Sequence, residues 1–166
     1  MNQQPTAREE RPAKRVSDSR TEQIQILMPQ HINGMGRLFG GQLVQWIDVV
    51  AAVVARRHSN AEVTTATIDN LMFEAPAYVN STVILVGQVT YVGNTSMEVR
   101  VDTFVEDLSG QRNMVNRAYL VMVALDKKGK PTRVPRLILE SETEQLEWLD
   151  GQRRHKLRQQ RRKERY

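Results

Sequence analysis

The chain has 166 residues, of which 40% are hydrophobic and 26% charged, and its net charge is +5. This length fits one domain with a single core, and the composition is that of a folded globular chain, neither disordered nor membrane-embedded. Cysteine is absent, which excludes disulfide bonds, cysteine-rich zinc sites and thiolate nucleophiles. The three histidines are too dispersed along the sequence to predict a metal centre. A metal enzyme is therefore not expected.

The positive charge is concentrated at the C-terminus. Residues 151–166 contain eight Lys or Arg and one Glu, whereas the other 150 residues contain sixteen basic and eighteen acidic side chains. No aromatic residues are interleaved with these arginines, so nucleic-acid binding is not expected. A solvated extension, attraction of a polyanionic ligand and contact with an anionic membrane remain alternatives. The polar N-terminus lacks the apolar segment of a signal peptide, which predicts a cytoplasmic location.

The chain begins with a polar segment and continues with a strand, a glycine-rich loop and a helix. Residues 1–20 contain almost no apolar side chains to bury, which predicts a flexible arm. The alternation in residues 23–28 predicts a short strand, and residues 30–41 form a loop with four glycines. The segment 42–57 is apolar almost all round and is too short to span a membrane, which predicts a helix buried on all sides.

Four further strands are predicted at residues 62–74, 79–92, 95–107 and 112–125, with turn residues between them. In the third strand, Met97, Val99, Val101 and Val105 alternate with charged residues, which indicates one buried face. The short turns predict an antiparallel meander, and wrapping it around the helix is the simplest way to bury that helix. This α+β domain spans residues 21–138 and is followed by a basic, partly helical tail at 139–166. An exposed strand edge favours at least a homodimer.

Asp48 is the only ionisable residue between Arg37 and Arg56. A carboxylate within an apolar helix is costly unless it has partners or faces a cavity. It is either a structural group bonded to an amide or arginine, or a general base or nucleophile with a tuned pKa. Gln45, one helical turn earlier, is expected to share the same cavity.

Asn33 lies in the glycine-rich loop before this helix. Asparagine in such a loop often serves only to adopt a left-handed backbone conformation. The loop nevertheless ends at a helix N-terminus, where free backbone N–H groups near Gly40 and Gly41 could stabilise a developing oxyanion.

These residues carry a family resemblance. The stretch HINGMGRLFGGQLVQWIDVVAAVVARRH resembles the N-x-x-G-x-x-F/H-G-G pattern, followed by a helical Asp, of hotdog acyl-CoA thioesterases of the YciA-like acyl-CoA hydrolase type. The residues that match in place are Asn33, Gly36, Phe39, Gly40, Gly41 and Asp48. The segments TTATIDNLMFEAP and VGNTSMEVRVDTFVED resemble later strands of that family, so the similarity covers about residues 23–136. It implies a hotdog fold, in which the sheet wraps around the central helix.

The resemblance implies hydrolysis of acyl-CoA thioesters to free CoA and carboxylate at a site between subunits, without a cofactor. By position, Asp48 activates water or attacks directly, Asn33 helps to place the water or carbonyl, and the N–H of Gly41 or Gly40 holds the thioester oxygen. Phe39, Gly40, Thr95 and Ser96 are then substrate-binding residues. The family includes trimers of dimers, so a hexamer is compatible with the resemblance. Candidates for the CoA phosphates are Arg100, Arg112, Arg117 and Lys127, although ordinary solvated charges explain them equally well.

Two other functions compete with this interpretation. A hotdog dehydratase or hydratase would need a paired acid and base, and His31 does not stand where that partner is expected. A non-catalytic acyl-CoA sensor would need no Asp48, and a regulator of transcription would also need a DNA-binding domain, for which residues 1–20 are too short. His58 is expected to cap a helix end, and Asp69 either lines the site or bonds a nearby loop.

Overall fold

A five-stranded antiparallel sheet with one long helix on each face forms most of the molecule. The computed structural model describes residues 11–165, except the side chain of Asn70. In chain order the elements are β1 (Ala13–Arg15), α1 (Val16–Ser19), β2 (Thr21–Ile26), a 3₁₀ turn (Pro29–His31), α2 (Gly40–Ser59), β3 (Glu62–Phe73), β4 (Thr82–Val92), β5 (Ser96–Glu106), β6 (Arg112–Leu125), β7 (Arg136–Ile138) and α3 (Glu142–Glu164).

The strand order of the large sheet is β2-β4-β5-β6-β3, and all its pairs are antiparallel. The predicted meander is therefore correct for β4, β5 and β6 but wrong for β3, which pairs with β6 at the far edge. Only tight hairpin turns force sequential strands to pair, and the connection over residues 74–81 is longer than such turns. As a result, β3 forms one free edge of the sheet and β2 forms the other.

The helix α2 packs on one face of the sheet and contacts all five of its strands. Leu43, Val50 and Val54 are buried at helical spacing, and the helix ends at Asn60, whose φ of 54° is left-handed. The helix packs tightly on the sheet at Gly87 of β4. A Cβ atom at this position would lie 2.7 Å from Cγ1 of Val50, so only glycine fits under the helix.

The prediction that α2 is buried on all sides is wrong for the single chain. Its side that faces away from the sheet is open, since Gln45 and Arg56 are exposed and Val49 is 49% exposed. Apolar residues on this open side, such as Val49, explain why the sequence of α2 shows no polar face. The periodicity does not distinguish burial within the chain from burial by another molecule.

The helix α3 packs on the opposite face of the sheet through buried charges. The side chain of Glu98 on β5 is 1% exposed. Its carboxylate accepts hydrogen bonds from Arg154 at 2.8–3.2 Å and from Thr90 at 2.7 Å, and it lies 2.8 Å from the guanidinium of Arg158. Gly151 lets the helix approach the sheet, because a Cβ there would lie 2.6 Å from Cβ of Tyr91.

The tail expected at residues 139–166 is therefore not a solvated extension in its described part. Its helix continues to Glu164, and Arg158 and Arg161 also approach Asp69 on β3, at 3.3 and 3.4 Å. These arginines appear as surplus charge in the sequence because their acidic partners lie far along the chain.

The flexible arm predicted for residues 1–20 is also wrong in its described part, residues 11–20. The strand β1 pairs in parallel with β7, and Val16 is buried. The guanidinium of Arg11 donates to the carbonyls of Val134 and Gly93. Backbone pairing and arginine hydrogen bonds order this segment, and a polar composition does not reveal them. The rest of the predicted arm, residues 1–10, lies outside the described residues.

Candidate active site

The loop before α2 is closed by the side chain of Asn33. Its Oδ1 accepts hydrogen bonds from the backbone N–H groups of Met35 at 2.9 Å and Arg37 at 3.2 Å. Such an Asx turn is a common structural role of asparagine. Asn33 does not have a positive φ, so the left-handed conformation is not the reason for its presence. The amide nitrogen of its exposed side chain donates to no described residue.

The first turn of α2 has two free backbone donors. Gly40 and Gly41 are its first residues, and within residues 11–165 neither N–H donates a hydrogen bond. The N-cap residue Phe39 supplies no side-chain cap. A Cβ on Gly41 would lie 2.6 Å from the ring of Phe39, and one on Gly40 would lie 3.3 Å from the ring of Phe73. Glycine thus keeps both donors uncovered between two half-exposed aromatic rings.

Asp48 lies half-buried on α2 and is oriented by Thr65 of β3. The hydroxyl of Thr65 donates to Oδ1 of Asp48 at 2.6 Å, while Oδ2 accepts no hydrogen bond from a described residue. Gln45 does not share this environment, because it is exposed and accepts instead from Gln42 at 2.9 Å. The carboxylate therefore has one oxygen held by Thr65 and one oxygen that could accept a proton from a bound water, as a general base does.

Thr65 was missed by sequence reasoning, although the sequence contains a signal for it. In the start of β3, Val63, Thr65 and Thr67 are half-buried and alternate with exposed residues. Period-two alternation therefore places the Thr65 hydroxyl on the sheet face that carries α2. Nothing local indicates that this hydroxyl meets Asp48, which lies on a different element.

The structure does not bring all the predicted site residues together in one chain. Asn33 and Gly40 line a cleft of about 420 Å³, but Asp48 does not. The other side chains that face this cleft are mostly apolar, among them Leu38, Leu43, Phe73, Pro76, Ala77 and Val115. Gly41 and Asp48 are seven residues apart on one helix, which corresponds to about 10 Å along its axis.

Thr95 lies in the turn between β4 and β5, and Ser96 is the first residue of β5, away from this cleft. Their carbonyl oxygens accept hydrogen bonds from the N–H groups of Ala124 at 3.0 Å and Gly93 at 2.8 Å. The turn therefore has a structural role in the chain, and neither residue lines the cleft that contains Asn33.

Three of the four cations considered for the CoA phosphates are paired with acids in the same chain. Asp102 lies 3.1 Å from Arg100 and 2.6 Å from Arg117, and Arg112 lies 2.8 Å from Glu106. Lys127 is exposed in the turn after β6. Solvated or paired strand charges explain the three arginines without a ligand.

The histidines have packing roles. His31 accepts a hydrogen bond from the N–H of Met28 at 3.0 Å, and its ring packs edge-on against Trp46. His58 does not cap the end of α2 in solvent as expected. It is fully buried, its Nε2 lies 3.0 Å from the carbonyl oxygen of Pro135, and burial lowers its pKa. No group of three or more His, Asp or Glu within residues 11–165 could hold a metal ion.

The family model and two of the known proteins that match this chain are described as thioesterases or thioester hydrolases. The family model described as Thioesterase superfamily matches residues 35–109. An uncharacterized acyl-CoA thioester hydrolase of Bacillus subtilis, YkhA, is 38% identical over 128 residues, which cover 76% of this chain and 74% of the relative. The cytosolic acyl coenzyme A thioester hydrolase of Rattus norvegicus is 31% identical over 144 residues, which cover 84% of this chain but only 38% of the relative.

Solved structures resemble the chain over almost its whole length. The acyl-CoA hydrolase of Staphylococcus aureus, determined with butyryl coenzyme A, coenzyme A and coenzyme A disulfide, superposes with a TM-score of 0.88 at 34% identity and covers 92% of this chain and 94% of its own. Variants of that enzyme with alanine in place of an aspartate, an asparagine or a threonine have similar structures. An apo-hexameric acyl-CoA thioesterase has a TM-score of 0.87 at 36% identity, with coverages of 90% and 97%.

The sheet wrapped around α2 is thus a hotdog fold, as predicted, and it defines the chain as a thioesterase-class enzyme. The chain belongs to the acyl-CoA thioester hydrolases of the thioesterase superfamily. None of the helices in residues 11–165 has the length and apolar character to cross a membrane.

Proposed function

We propose that the chain hydrolyses acyl-CoA thioesters to CoA and carboxylate at a site that two protomers build together. The observation that carries this proposal is the carboxylate of Asp48, half-buried on α2 and held through one oxygen by Thr65 at 2.6 Å. The free oxygen is positioned to accept a proton from water. In the S. aureus enzyme the asparagine, aspartate and threonine replaced by alanine are 15 and 17 residues apart, and the same spacings separate Asn33, Asp48 and Thr65.

The reaction needs a base and an oxyanion donor at the same carbonyl group. Water attacks the thioester carbon while Asp48 accepts its proton, and the negative charge that develops on the carbonyl oxygen is stabilised by the N–H of Gly41 or Gly40. The C–S bond then breaks, CoA leaves as a thiolate, and the proton returns to it. A thiolate is a good leaving group, so this arrangement needs no Ser-His-Asp triad.

The distance between Gly41 and Asp48 within one chain is the reason to propose a site shared by two protomers. Gly41 and Asp48 are about 10 Å apart along α2, whereas both groups must reach within about 3 Å of the reacting atoms. Asp48 lies beside β3, which is a free edge of the sheet. We infer that pairing of β3 in two copies places the glycine loop of one protomer next to Asp48 of the other. Some relatives are hexameric, and three such dimers would form a hexamer here.

Turnover of variants tests the role of Asp48. With a panel of acyl-CoA esters and a thiol reagent, Asp48→Asn should release thiol at least about 10²-fold more slowly than the unaltered chain while it still binds substrate. Asp150→Asn removes the same charge at an exposed position of α3 and should remain active. If Asp48→Asn retains normal turnover, Asp48 is only structural. If the unaltered chain binds every ester without thiol release, the sensor function is favoured instead.

The role of Thr65 is positioning, and its test uses a conservative pair. Thr65→Val removes the hydrogen bond to Asp48 and should lower kcat by roughly 10-fold or more, because hydrogen bonds to charged groups contribute about 1.5–3 kcal/mol. Thr65→Ser keeps the hydroxyl and should recover most of the loss. Equal loss in both variants would indicate that packing, and not the hydrogen bond, explains the effect.

Subunit mixing tests the shared site. Asn33→Ala and Asp48→Ala are each expected to be inactive, but when they are dissociated and reassembled together, half of the dimers are mixed. Each mixed dimer has one complete site and one that lacks both residues, so activity should return to about a quarter of the original value. Absence of recovery, with subunit exchange verified by mass spectrometry, would show that both residues act within one chain.

A further inference from the structure

Another cavity, of about 590 Å³, lies where the turn between β4 and β5 meets β7 and α3. It shares no lining residue with the cleft that contains Asn33 and Gly40. Tyr91, which lines the cavity, packs against Gly151 of α3, whereas Asp48 belongs to α2 on the other face of the sheet. The candidate active site therefore gives this cavity no role.

Three arginines from separate parts of the chain lie at this cavity. Arg11 and Arg136 line it. Burial lowers the pKa of Arg11, and so do the nearby cations Arg133 and Arg136. Within residues 11–165, none of the three forms an ion pair with an acid. Like charges that lie close together repel each other, so an anion bound between them would be stabilised.

The acids around the cavity have other basic partners. On β5 and in the turns of α3 that line the cavity, the described pairs include Glu98 with Arg154 and Arg158, Glu147 with Arg100, and Asp150 with Arg153. Glu140, which follows β7, pairs with Arg15. Among the described residues, the charge left at the cavity is therefore positive.

Two of the three arginines are held in place by protein acceptors. Arg11 donates to the carbonyls of Val134 and Gly93, and Nε of Arg133 donates to Oδ1 of Asn94 at 3.3 Å. These bonds use only part of each guanidinium, and the other N–H groups donate to no described residue. A guanidinium that is fixed and still has free donors is suited to bind a phosphate group.

Aromatic rings form another part of the cavity lining. The ring of Tyr91 lies 4.7 Å from that of Trp148 and 5.3 Å from that of His155, and all three side chains are partly exposed. Trp148 and His155 are seven residues apart on α3, so they lie on the same face of the helix. Partly exposed rings beside cations are suited to stack on a planar base.

The chemistry of the cavity indicates its ligand. We propose that it binds a free nucleoside di- or triphosphate, with the phosphates on Arg11, Arg133 and Arg136 and the base against Trp148. Inorganic phosphate or pyrophosphate would use only the arginines, and an uncharged aromatic compound would use only the rings. The nucleotide part of acyl-CoA has the same chemistry, but the sheet lies between this cavity and Asp48.

Calorimetric titration of the full chain with ADP, inorganic pyrophosphate and adenosine tests this proposal. ADP should bind more tightly than the other two compounds, because only ADP contacts both the arginines and the rings. Arg133→Gln with Arg136→Gln should lower the affinity for ADP and for pyrophosphate by roughly 10-fold or more. Trp148→Leu should lower the affinity for ADP by roughly 5-fold or more and leave pyrophosphate binding unchanged.

Matched control variants make the result specific to this cavity. Lys128→Gln with Lys130→Gln removes two exposed cations from the turn after β6, and Tyr78→Leu removes an exposed aromatic ring outside the cavity. Both controls should bind ADP like the unaltered chain. Without added nucleotide, the double arginine variant should keep its KM for acyl-CoA. Thermal unfolding of every variant verifies that its fold is intact.

Several results would overturn the proposal. Absence of ADP binding at low salt would exclude a nucleotide, and binding only after Glu9→Gln with Glu10→Gln would show that these acids neutralise the arginines instead. An equal loss of affinity in the double lysine control would indicate simple attraction of polyanions. Unchanged ADP binding by Trp148→Leu would indicate a phosphate site without base recognition. A raised KM for acyl-CoA in the double arginine variant would assign the cavity to the substrate.

Discussion

The two long helices lie on opposite faces of the same sheet and are held by different chemistry. Under α2, side chains such as Ile47, Val50 and Val54 are at most 1% exposed and pack against apolar strand residues. Under α3, the buried contacts centre on Glu98, which is enclosed by Arg154 and Arg158. Adjacent residues of β5 serve both helices, since Met97 and Val99 face α2 while Glu98 faces α3.

Apolar contacts under α2 and buried ion pairs under α3 contribute differently to stability. Apolar burial is non-directional and stabilises in proportion to the area removed from water, so α2 and its strands form the main source of stability. A buried ion pair adds little net stability, yet removal of one partner is strongly destabilising because an unpaired charge stays buried. The contacts under α3 therefore determine where this helix lies more than they add to the stability of the fold.

The largest effect is expected from removing the cations under α3. Arg154→Met with Arg158→Met leaves Glu98 buried without a counter-charge and should lower the free energy of unfolding by about 3–5 kcal/mol in urea denaturation. Adding Glu98→Leu to this variant should recover most of the loss. Arg153→Met, which alters an exposed arginine of the same helix, should change stability by less than about 0.5 kcal/mol. Similar losses for all three variants would contradict the role assigned to Glu98.

A smaller effect is expected where α2 meets the sheet. Gly87→Ala introduces a Cβ 2.7 Å from Val50 and 2.9 Å from Val54, which forces the helix and β4 apart. Overpacking of this kind costs about 1–3 kcal/mol, measurable as a lower midpoint of urea denaturation. Gly34→Ala is the control, because nothing lies within 4 Å of its added Cβ. An unchanged midpoint for Gly87→Ala would show that the packing under α2 is looser than described.

The corresponding glycine under α3 should be less sensitive. Gly151→Ala introduces a Cβ 2.6 Å from Cβ of Tyr91, but alanine also favours the helix over glycine by about 1 kcal/mol. The two effects oppose each other, so the net loss should be less than about 2 kcal/mol in the same denaturation experiment. A loss larger than that of Gly87→Ala would reverse the proposed order of the two interfaces.

The smallest expected effect is on the pH dependence of stability, to which one histidine on each helix contributes. Burial lowers the pKa of His58 on α2, and burial with the nearby Arg158 lowers the pKa of His155 on α3. The unfolded chain then binds more protons than the folded one, so stability is complete above about pH 6.5 and decreases as the pH falls below it. In denaturation at several pH values, His58→Gln should reduce this decrease, and His155→Gln should reduce it less because its ring is only half-buried. A steeper decrease in either variant would contradict this sign.

The local elements were predictable because their signals are local. The apolar run at 42–57 lies within α2, and each of the four strands predicted after it differs from its observed limits by at most three residues. Met97, Val99 and Val101 are buried as their alternation predicted, but the prediction of a single buried face was wrong, because Glu98 and Asp102 on the other face of β5 are buried as well. The residues of the candidate site, namely the loop asparagine, the paired glycines and the helical aspartate, were selected from their order and spacing alone.

Contacts between distant segments were not predictable in the same way. Thr65 of β3 orients Asp48 of α2, and Glu98 meets Arg154 and Arg158 of α3. The position of β3 at the far edge of the sheet was also missed. A periodic pattern reports which face of an element is apolar, but it does not specify which distant element covers that face.

By itself, the sequence determined the type and limits of the main elements, the apolar face of each strand and the family of the enzyme. These properties depend on side-chain periodicity, on glycine and turn residues, and on motif spacing within short stretches of chain. Only the tertiary structure decided that the polar face of β5 holds a charged helix, that β3 leaves a free edge beside Asp48, and that the basic C-terminus is ordered. Such outcomes depend on how buried charges and strand edges find partners across the whole chain, because an unpaired buried group costs more than any local preference provides.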